Sequence, residues 1–337
     1  MTMRLHPLTL ISISLFLLPA CGGDPTAPDS ETQPADSEEE RFKEPECASP
    51  YELCLEAPAH GFQILSDGAT IQPGEDVEYC EVVLLPGTPD DVYWVNGFES
   101  QMTEGSHHLI VSAIQPDTET EENAPVGERV PCTGGDVWGG ELVPVTGSQH
   151  PYQSEAFPDG VGRVYHGGQK VVFDYHYFNT SPEPIAARAA VNFHTTDKNN
   201  VEKISRGFGF YNLGIEIPPG SEKSFTGECF FDDDVYVHKL TRHTHQWGTD
   251  FKVWYAGGEK DGEHIFTSPD YETVDFPMEP EIIRGGEGFR FECSFKNTES
   301  YTLKFGLKAT DEMCILFGNW YAVDGGASMD PQGCFLF

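Results

Sequence analysis

Four short clusters carry side chains able to hold a metal ion: the adjacent pair His107-His108, the segment Asp174-Tyr175-His176-Tyr177, the triplet His243-Thr244-His245, and Asp311-Glu312-Met313-Cys314. Histidines two residues apart on a strand point to the same face, so His243 and His245 can grip one ion from a rigid platform. The adjacent pair asks more of the backbone, because successive strand side chains oppose one another. Both rings reach one ion only at a bulge or through different ring nitrogens. Taken singly, each cluster is better read as surface or core histidines, and Met313 as core packing. Taken together, three imidazoles with no obvious carboxylate or thiolate in the set suit copper or zinc, and a thioether is a soft ligand that favours Cu(I).

The elements available to position these residues are strands. Val77 to Leu85, His108 to Ala113, Lys170 to Phe178, Val235 to Thr241, Phe251 to Ala256 and Phe289 to Phe295 alternate or run apolar, with Gly, Pro, Asn and Asp clusters between them. No stretch sustains a 3.6-residue period, so few helices are expected. Many short strands with turn punctuation predict an all-β chain of antiparallel sandwiches or barrels. A turn feeding a strand recurs: Ile71-Gln72-Pro73-Gly74-Glu75 before Cys80, Ile282-Ile283-Arg284-Gly285-Gly286-Glu287 before Cys293, and a variant, Ile217-Pro218-Pro219-Gly220-Ser221, before Cys229. Two related β-domains and chance account for this about equally well. The polar stretch Asp197-Lys198-Asn199-Asn200 marks the boundary, dividing the folded chain into 47–197 and 198–337.

Ahead of these lies a leader. Arg4 precedes the apolar run Leu8 to Leu18 and then Leu18-Pro19-Ala20-Cys21, too short for a membrane span and ending in small residues, so 1–20 is read as an export signal. A cysteine at this point resembles a bacterial lipoprotein box and predicts acylation of Cys21. The alternative is an ordinary secretory signal. Residues 21–46 are almost entirely Gly, Pro, Ser, Thr, Asp and Glu and read as a disordered acidic tether. The protein is therefore expected to be exported and lipid-anchored, at the outer membrane or cell surface, touching membrane through the anchor only. A net charge of −35 argues against nucleic acid and anionic membrane surfaces, which want basic patches. Besides Cys21, Cys47, Cys54, Cys80, Cys132, Cys229, Cys293, Cys314 and Cys334 form an even set that reads as disulfides in an oxidising compartment, with no connectivity preferred. No CxxC, GxSxG or P-loop pattern is present.

In order and spacing, Ser106-His107-His108-Leu109, Tyr175-His176-Tyr177, His243-Thr244-His245 and Asp311-Glu312-Met313-Cys314 resemble the copper type II, ascorbate-dependent monooxygenases, which include peptidylglycine α-hydroxylating monooxygenase and dopamine β-monooxygenase. Phe157-Pro158-Asp159-Gly160-Val161-Gly162, Gly167-Gly168 and Cys293-Ser294-Phe295-Lys296-Asn297-Thr298 add to the likeness, which covers most of 60–334. It implies two antiparallel, jelly-roll-like β-sandwich domains side by side, each holding one of two copper ions and facing a solvent-filled cleft. His107, His108 and His176 would hold an electron-transferring copper, and His243, His245 and Met313 an oxygen-binding, catalytic one. Ascorbate would be the reductant, dioxygen the co-substrate, and a small molecule with a C–H bond the substrate. The implied disulfides are Cys80 with Cys132, Cys229 with Cys334 and Cys293 with Cys314, leaving Cys47 with Cys54.

The chain departs from the peptide-amidating members where they hold a substrate carboxylate. Phe317 stands for their tyrosine and Thr241 for their arginine, Ile114 for a cysteine, and Asp174 for a glutamine. Phenyl and threonine side chains cannot replace a phenol and a guanidinium toward an anion, and Arg242, one residue on, faces the other way on a strand. A non-peptidylglycine substrate is expected. A non-catalytic copper-binding or partner-binding surface lipoprotein of the same fold is the alternative, with a metal-free adhesion module a distant third. His60, His150, His166, His194, His238 and His264 read as surface or hydrogen-bonded residues, with His166, near the His176 strand, the best exception. Asp232-Asp233-Asp234 reads as a solvated turn.

Overall fold

The computed structural model describes residues 42–132, 142–269, 275–306, 310–323 and 334–336. Cys21, the residues 1–20 read as an export signal and nearly all of those read as a tether lie outside them. The chain is all-β. A five-residue helix, Glu119–Asn123, and the 3-10 turn Lys198–Asn200 are the helical pieces among the described residues.

Period-two alternation decides which way each strand faces. In Lys170–Phe178, Val171, Phe173, Tyr175 and Tyr177 enter an apolar core, while Val172, Asp174 and His176 turn to the other face. This strand is the middle of an antiparallel five-stranded sheet, in the order Arg129–Pro131, Asp76–Leu84, Lys170–Phe178, Ser106–Ile114 and Leu142–Ser148. A second sheet runs Gly61–Leu65, Ala189–Thr195, Val92–Met102, Val161–His166 and Lys203–Ile204, with Tyr152–Ala156 also paired to Val92–Met102. Its Val95, Phe98, Val191 and Phe193 share the core with Phe173 and Tyr175 of the first. Each such fully buried side chain contributes roughly 1.5–3 kcal/mol.

Strand pairing changes hands at Ser205. Lys203–Ile204 pairs with Val161–His166, whereas Arg206–Tyr211 pairs with Ile315–Ala322. From there a five-stranded sheet runs Asp275–Ile283, Val235–His243, Ile315–Ala322, Arg206–Tyr211 and Phe335–Leu336, and a four-stranded one runs Glu222–Phe230, Gly288–Lys296, Gly248–Ala256 and His264–Ser268. Phe208, Phe231, Val237, Phe251, Phe289 and Trp320 build their shared core.

Among the recurring turns, the one at Ile217 matches the one at Ile71. Asn179, just past Lys170–Phe178, donates its amide to the carbonyls of Ile71 and Glu183 at 2.9 and 2.8 Å. Asn297, just past Gly288–Lys296, donates to Ile217 and Tyr301, both at 2.8 Å. Each asparagine is 1% exposed, and each ties a buried carbonyl, of Ile71 or Ile217, to a second one nearer the surface. The strands that follow pair alike, Asp76 opposite Phe178 and Glu222 opposite Lys296. Gly74 and Gly220 supply the positive φ that both turns require. Among the described residues the turn at Ile282 has no such asparagine clamp, although like the Ile71 turn it has a positive-φ glycine and a glutamate accepting a backbone N–H within the turn.

Disulfides join Cys47 to Cys54, Cys80 to Cys132, Cys229 to Cys334 and Cys293 to Cys314, the four pairs that the resemblance implies.

Candidate metal centre

His108 and His176 are direct cross-strand neighbours on Ser106–Ile114 and Lys170–Phe178 and so share a face. The register then shifts: Tyr177 pairs with Ser106, and His107 is the extra residue. This bulge is what lets an adjacent pair act together, because it rotates His107 toward the side where His108 points. The ring centroids lie 5.0 Å apart for His107 and His176, 5.3 Å for His108 and His176, and 5.5 Å for His107 and His108. One nitrogen from each falls within 4.8 Å of the others.

Carboxylates surround this set. Asp76 Oδ1 lies 2.5 Å from His176 Nε2, which commits that nitrogen and leaves Nδ1 for another partner. Glu78 Oε1 and Asp174 Oδ1 stand 3.5 and 3.9 Å from His108 Nε2. Burial opposes a charge on His108, yet these two carboxylates outweigh it and raise its pKa to about 9. His107 moves the other way, lowered by burial and by the neighbouring imidazoles.

The second pair of histidines comes together differently from the expected strand alternation. Val235–His243 ends at His243, and His245 belongs to the segment beyond it. The rings are nevertheless 5.3 Å apart, because a buried carboxylate holds the segment in place. Glu312, 0% exposed, accepts the backbone N–H groups of His245 at 2.9 Å, Trp247 at 3.0 Å and Met313 at 3.0 Å. Two segments far apart in sequence thus meet on one side chain. His245 Nδ1 lies 2.9 Å from the Asp311 carbonyl, so it carries the proton and leaves Nε2 with its lone pair. Burial holds His243 well below the usual histidine range and brings His245 down to about 4. Both are neutral imidazoles at pH 7, the form that binds a metal. Burial raises Glu312 to about 7 against the three N–H groups that favour its charge. Met313 is buried, and its neighbour Cys314 is tied to Cys293. Glu312 lies inside a quoted motif, but only the packed structure reveals its three contacts.

One histidine of each set, His108 and His243, lines a common cavity of about 180 Å³ whose walls include Ile110, Val145 and Phe317. Phe317 sits opposite Thr241 in register, with its ring 6.4 Å from that of His243. Polar groups bridge the two halves at the same cavity. Arg163 donates to Asn319 Oδ1 at 2.8 Å, Asn319 donates to Glu155 at 2.6 Å, and Lys239 pairs with Glu155 at 3.3 Å. Arg242 is 1% exposed and donates to Ser268 Oγ and Thr244 Oγ1.

The remaining histidines stand apart from both sets. His166 ends a strand of the other sheet, with Nδ1 3.3 Å from the carbonyl of Pro89 in the loop before Val92. His194 meets Glu99, His264 meets Thr267, and His238 lies 3.1 Å from Ser205 Oγ. Asp234 accepts from Arg284 and from the Gly285 N–H, in keeping with a turn.

Residues 208–336 match the family model described as copper type II ascorbate-dependent monooxygenase, C-terminal domain, which bears out the resemblance read in the sequence over that stretch. Among solved structures, the infectious bursal disease virus VP2 subviral particle is similar at 11% identity, covering 84% of this chain and 77% of that one, with a TM-score of 0.19. The infectious bursal disease virus Gt strain structure is similar at 12% identity, 84% and 78% coverage, and a TM-score of 0.16. Likenesses at these TM-scores carry no inference.

Proposed function

We propose that the chain is a copper- and ascorbate-dependent monooxygenase that hydroxylates a C–H bond of a small, non-peptidylglycine substrate. His107, His108 and His176 would hold one copper ion, and His243, His245 and Met313 the other. The observation that carries the reading is that the 208–336 match takes in His243, His245 and Met313, and that Glu312 binds the backbones of His245 and Met313 through one oxygen.

The donor chemistry fits copper. Imidazoles and a thioether are borderline and soft ligands, suited to an ion that alternates between cuprous and cupric states; His107, His243 and His245 are held toward the neutral form, whereas His108 gives up a proton to bind. Bound copper would supply the activation of dioxygen, with two electrons from ascorbate, one atom of oxygen entering the C–H bond and the other leaving as water. The chain's own residues do the rest. Asp76 and the Asp311 carbonyl fix which nitrogen of His176 and His245 is left to coordinate. Glu312 and the Cys293–Cys314 bond hold Met313 in register with His245. Val145, Ile110 and Phe317 give the cavity an apolar wall that favours a neutral or aromatic substrate face. Arg163, Asn319, Glu155 and Lys239 keep the two halves from separating at that cavity.

The reading includes export and anchoring through an acylated Cys21, which puts the disulfides in an oxidising compartment. The decisive experiment measures copper per chain together with ascorbate-driven oxygen consumption against a metabolite extract. Two coppers with substrate-dependent consumption support the enzyme. Two coppers without turnover on any fraction would leave the non-catalytic copper-binding protein, and no copper would overturn both.

A further inference from the structure

The face that carries the three-histidine set carries a different donor set as well. Direct cross-strand partners share a face, and so do residues two apart on one strand. Glu78 is opposite His176, His176 is opposite His108, and Asp174 lies two residues before His176. These side chains therefore stand on one side of the sheet, away from the core that takes Tyr175.

Glu78 Oε1 and Asp174 Oδ1 lie 3.5 and 3.9 Å from His108 Nε2. Both separations are too long for a hydrogen bond. His108 Nε2 and Asp174 Oδ1 are shielded from solvent and lack a hydrogen-bond partner among the described residues. Without a metal the protonated His108 is charge-paired with both carboxylates, yet neither buried atom gains a hydrogen bond, and a cation between them would satisfy both. Donors bonded to one ion at about 2.1 Å lie roughly 3.4 Å apart around a tetrahedron and roughly 3.6 Å apart in a trigonal plane. Of the three donor atoms, all within 4.8 Å of one another, the His108–Glu78 pair already stands at ligand spacing and the His108–Asp174 pair lies a few tenths of an ångström beyond it, so one ion could draw the set in with a small side-chain shift.

We propose that His108 Nε2, Glu78 and Asp174 form a divalent-cation site of zinc type, distinct from the three-imidazole set and sharing His108 with it. One imidazole nitrogen and two carboxylate oxygens are harder donors than three imidazoles, and they disfavour a cuprous ion. Two carboxylate charges balance those of a divalent ion, so a partly buried cation is held without residual charge. The ion takes the place of the Nε2 proton. His107, His176, His243 and Met313 are not needed, so this site stands or falls independently of the copper reading.

The test uses zinc alone and the metal-free full chain carrying His107→Ala and His243→Ala, which leaves both histidine sets incomplete. Calorimetry against a chromophoric chelator should find one zinc per chain, and adding Glu78→Gln or Asp174→Asn should weaken it at least tenfold. Zinc-edge anomalous scattering from crystals of the unaltered chain should place a peak among His108, Glu78 and Asp174, which guards against a misfolded variant. Zinc affinity unchanged by both carboxylate substitutions, or a scattering peak among His107, His108 and His176 with none beside Glu78, would overturn the assignment.

Discussion

Glu312 Oε2 accepts the backbone N–H of His245 at 2.9 Å across 67 residues of sequence. The same carboxylate also takes the N–H groups of Trp247 and Met313, so a single side chain sets the distance between a histidine and a methionine that no shared strand connects.

Glu312→Ala should therefore be costly. It leaves three buried N–H groups without an acceptor, at about 1–3 kcal/mol each, and denaturant unfolding should show a loss of about 3 kcal/mol or more. Glu312→Gln retains one acceptor oxygen and should fall between the two. A loss below 1 kcal/mol in the alanine variant would show that water or a rearranged loop replaces the carboxylate.

Loaded with cuprous ion, the chain should show copper–sulfur scattering that disappears in Met313→Ala and survives in His176→Ala, while each variant loses about half of the bound copper. X-ray absorption and metal analysis of the same samples check this. Sulfur scattering that persists without Met313 would assign the thioether wrongly.

Phe317 and Thr241 face each other in register beside His243, and neither binds an anion. Arg242 is committed to Ser268 and Thr244. Two missing charge-assisted hydrogen bonds, at about 1.5–3 kcal/mol each, should make turnover of acyl-glycines lower by orders of magnitude than turnover of neutral aromatic or aliphatic compounds. Product analysis on both panels, with Phe317→Tyr for comparison, decides it. Efficient hydroxylation of acyl-glycines by the unaltered chain would show that another cation anchors the carboxylate.

His238 gives a pH signature. Burial, reinforced by the charges of Arg163 and Lys239, lowers its pKa to about 3. Its folded value is below that of the unfolded chain, so as pH falls from about 6.5 the unfolded state takes up the proton first. Stability present above that pH is lost on the way down toward 3, by up to about 1.4 kcal/mol per unit. Between pH 6 and 4, metal-free His238→Asn should lose roughly 2 kcal/mol less than the unaltered chain in urea unfolding. Parallel acid slopes would rule His238 out as a contributor.

How much of this was legible in the sequence depended on range. The strand Lys170–Phe178 could be read directly, because every second residue from Val171 to Tyr177 is apolar or aromatic and these are the ones that enter the core. The condition for His107 and His108 to act together, a bulge, could be stated in advance; its location could not, since it lies in the pairing of two strands about 70 residues apart. His245 was placed on the wrong kind of element, because strand alternation stops at His243 and a distant carboxylate takes over. The likeness of the Ile71 and Ile217 turns was hidden by a third turn of similar composition. Asn179 and Asn297 distinguish them, and nothing local says which carbonyls those amides will reach.

The paired asparagines have a consequence for the two ligand sets. If Phe178 corresponds to Lys296 and Asp76 to Glu222, then His176 corresponds to Ser294 and Glu78 to Ser224. Where the first half sets an imidazole beside a carboxylate, the second sets two serine hydroxyls 2.9 Å apart. Its histidines lie instead on and just beyond Val235–His243, in the other sheet. What the halves share is thus a frame and not a site: the two candidate ligand sets stand on different walls of it, so substitutions can remove either set and leave the shared frame, and the other set, in place.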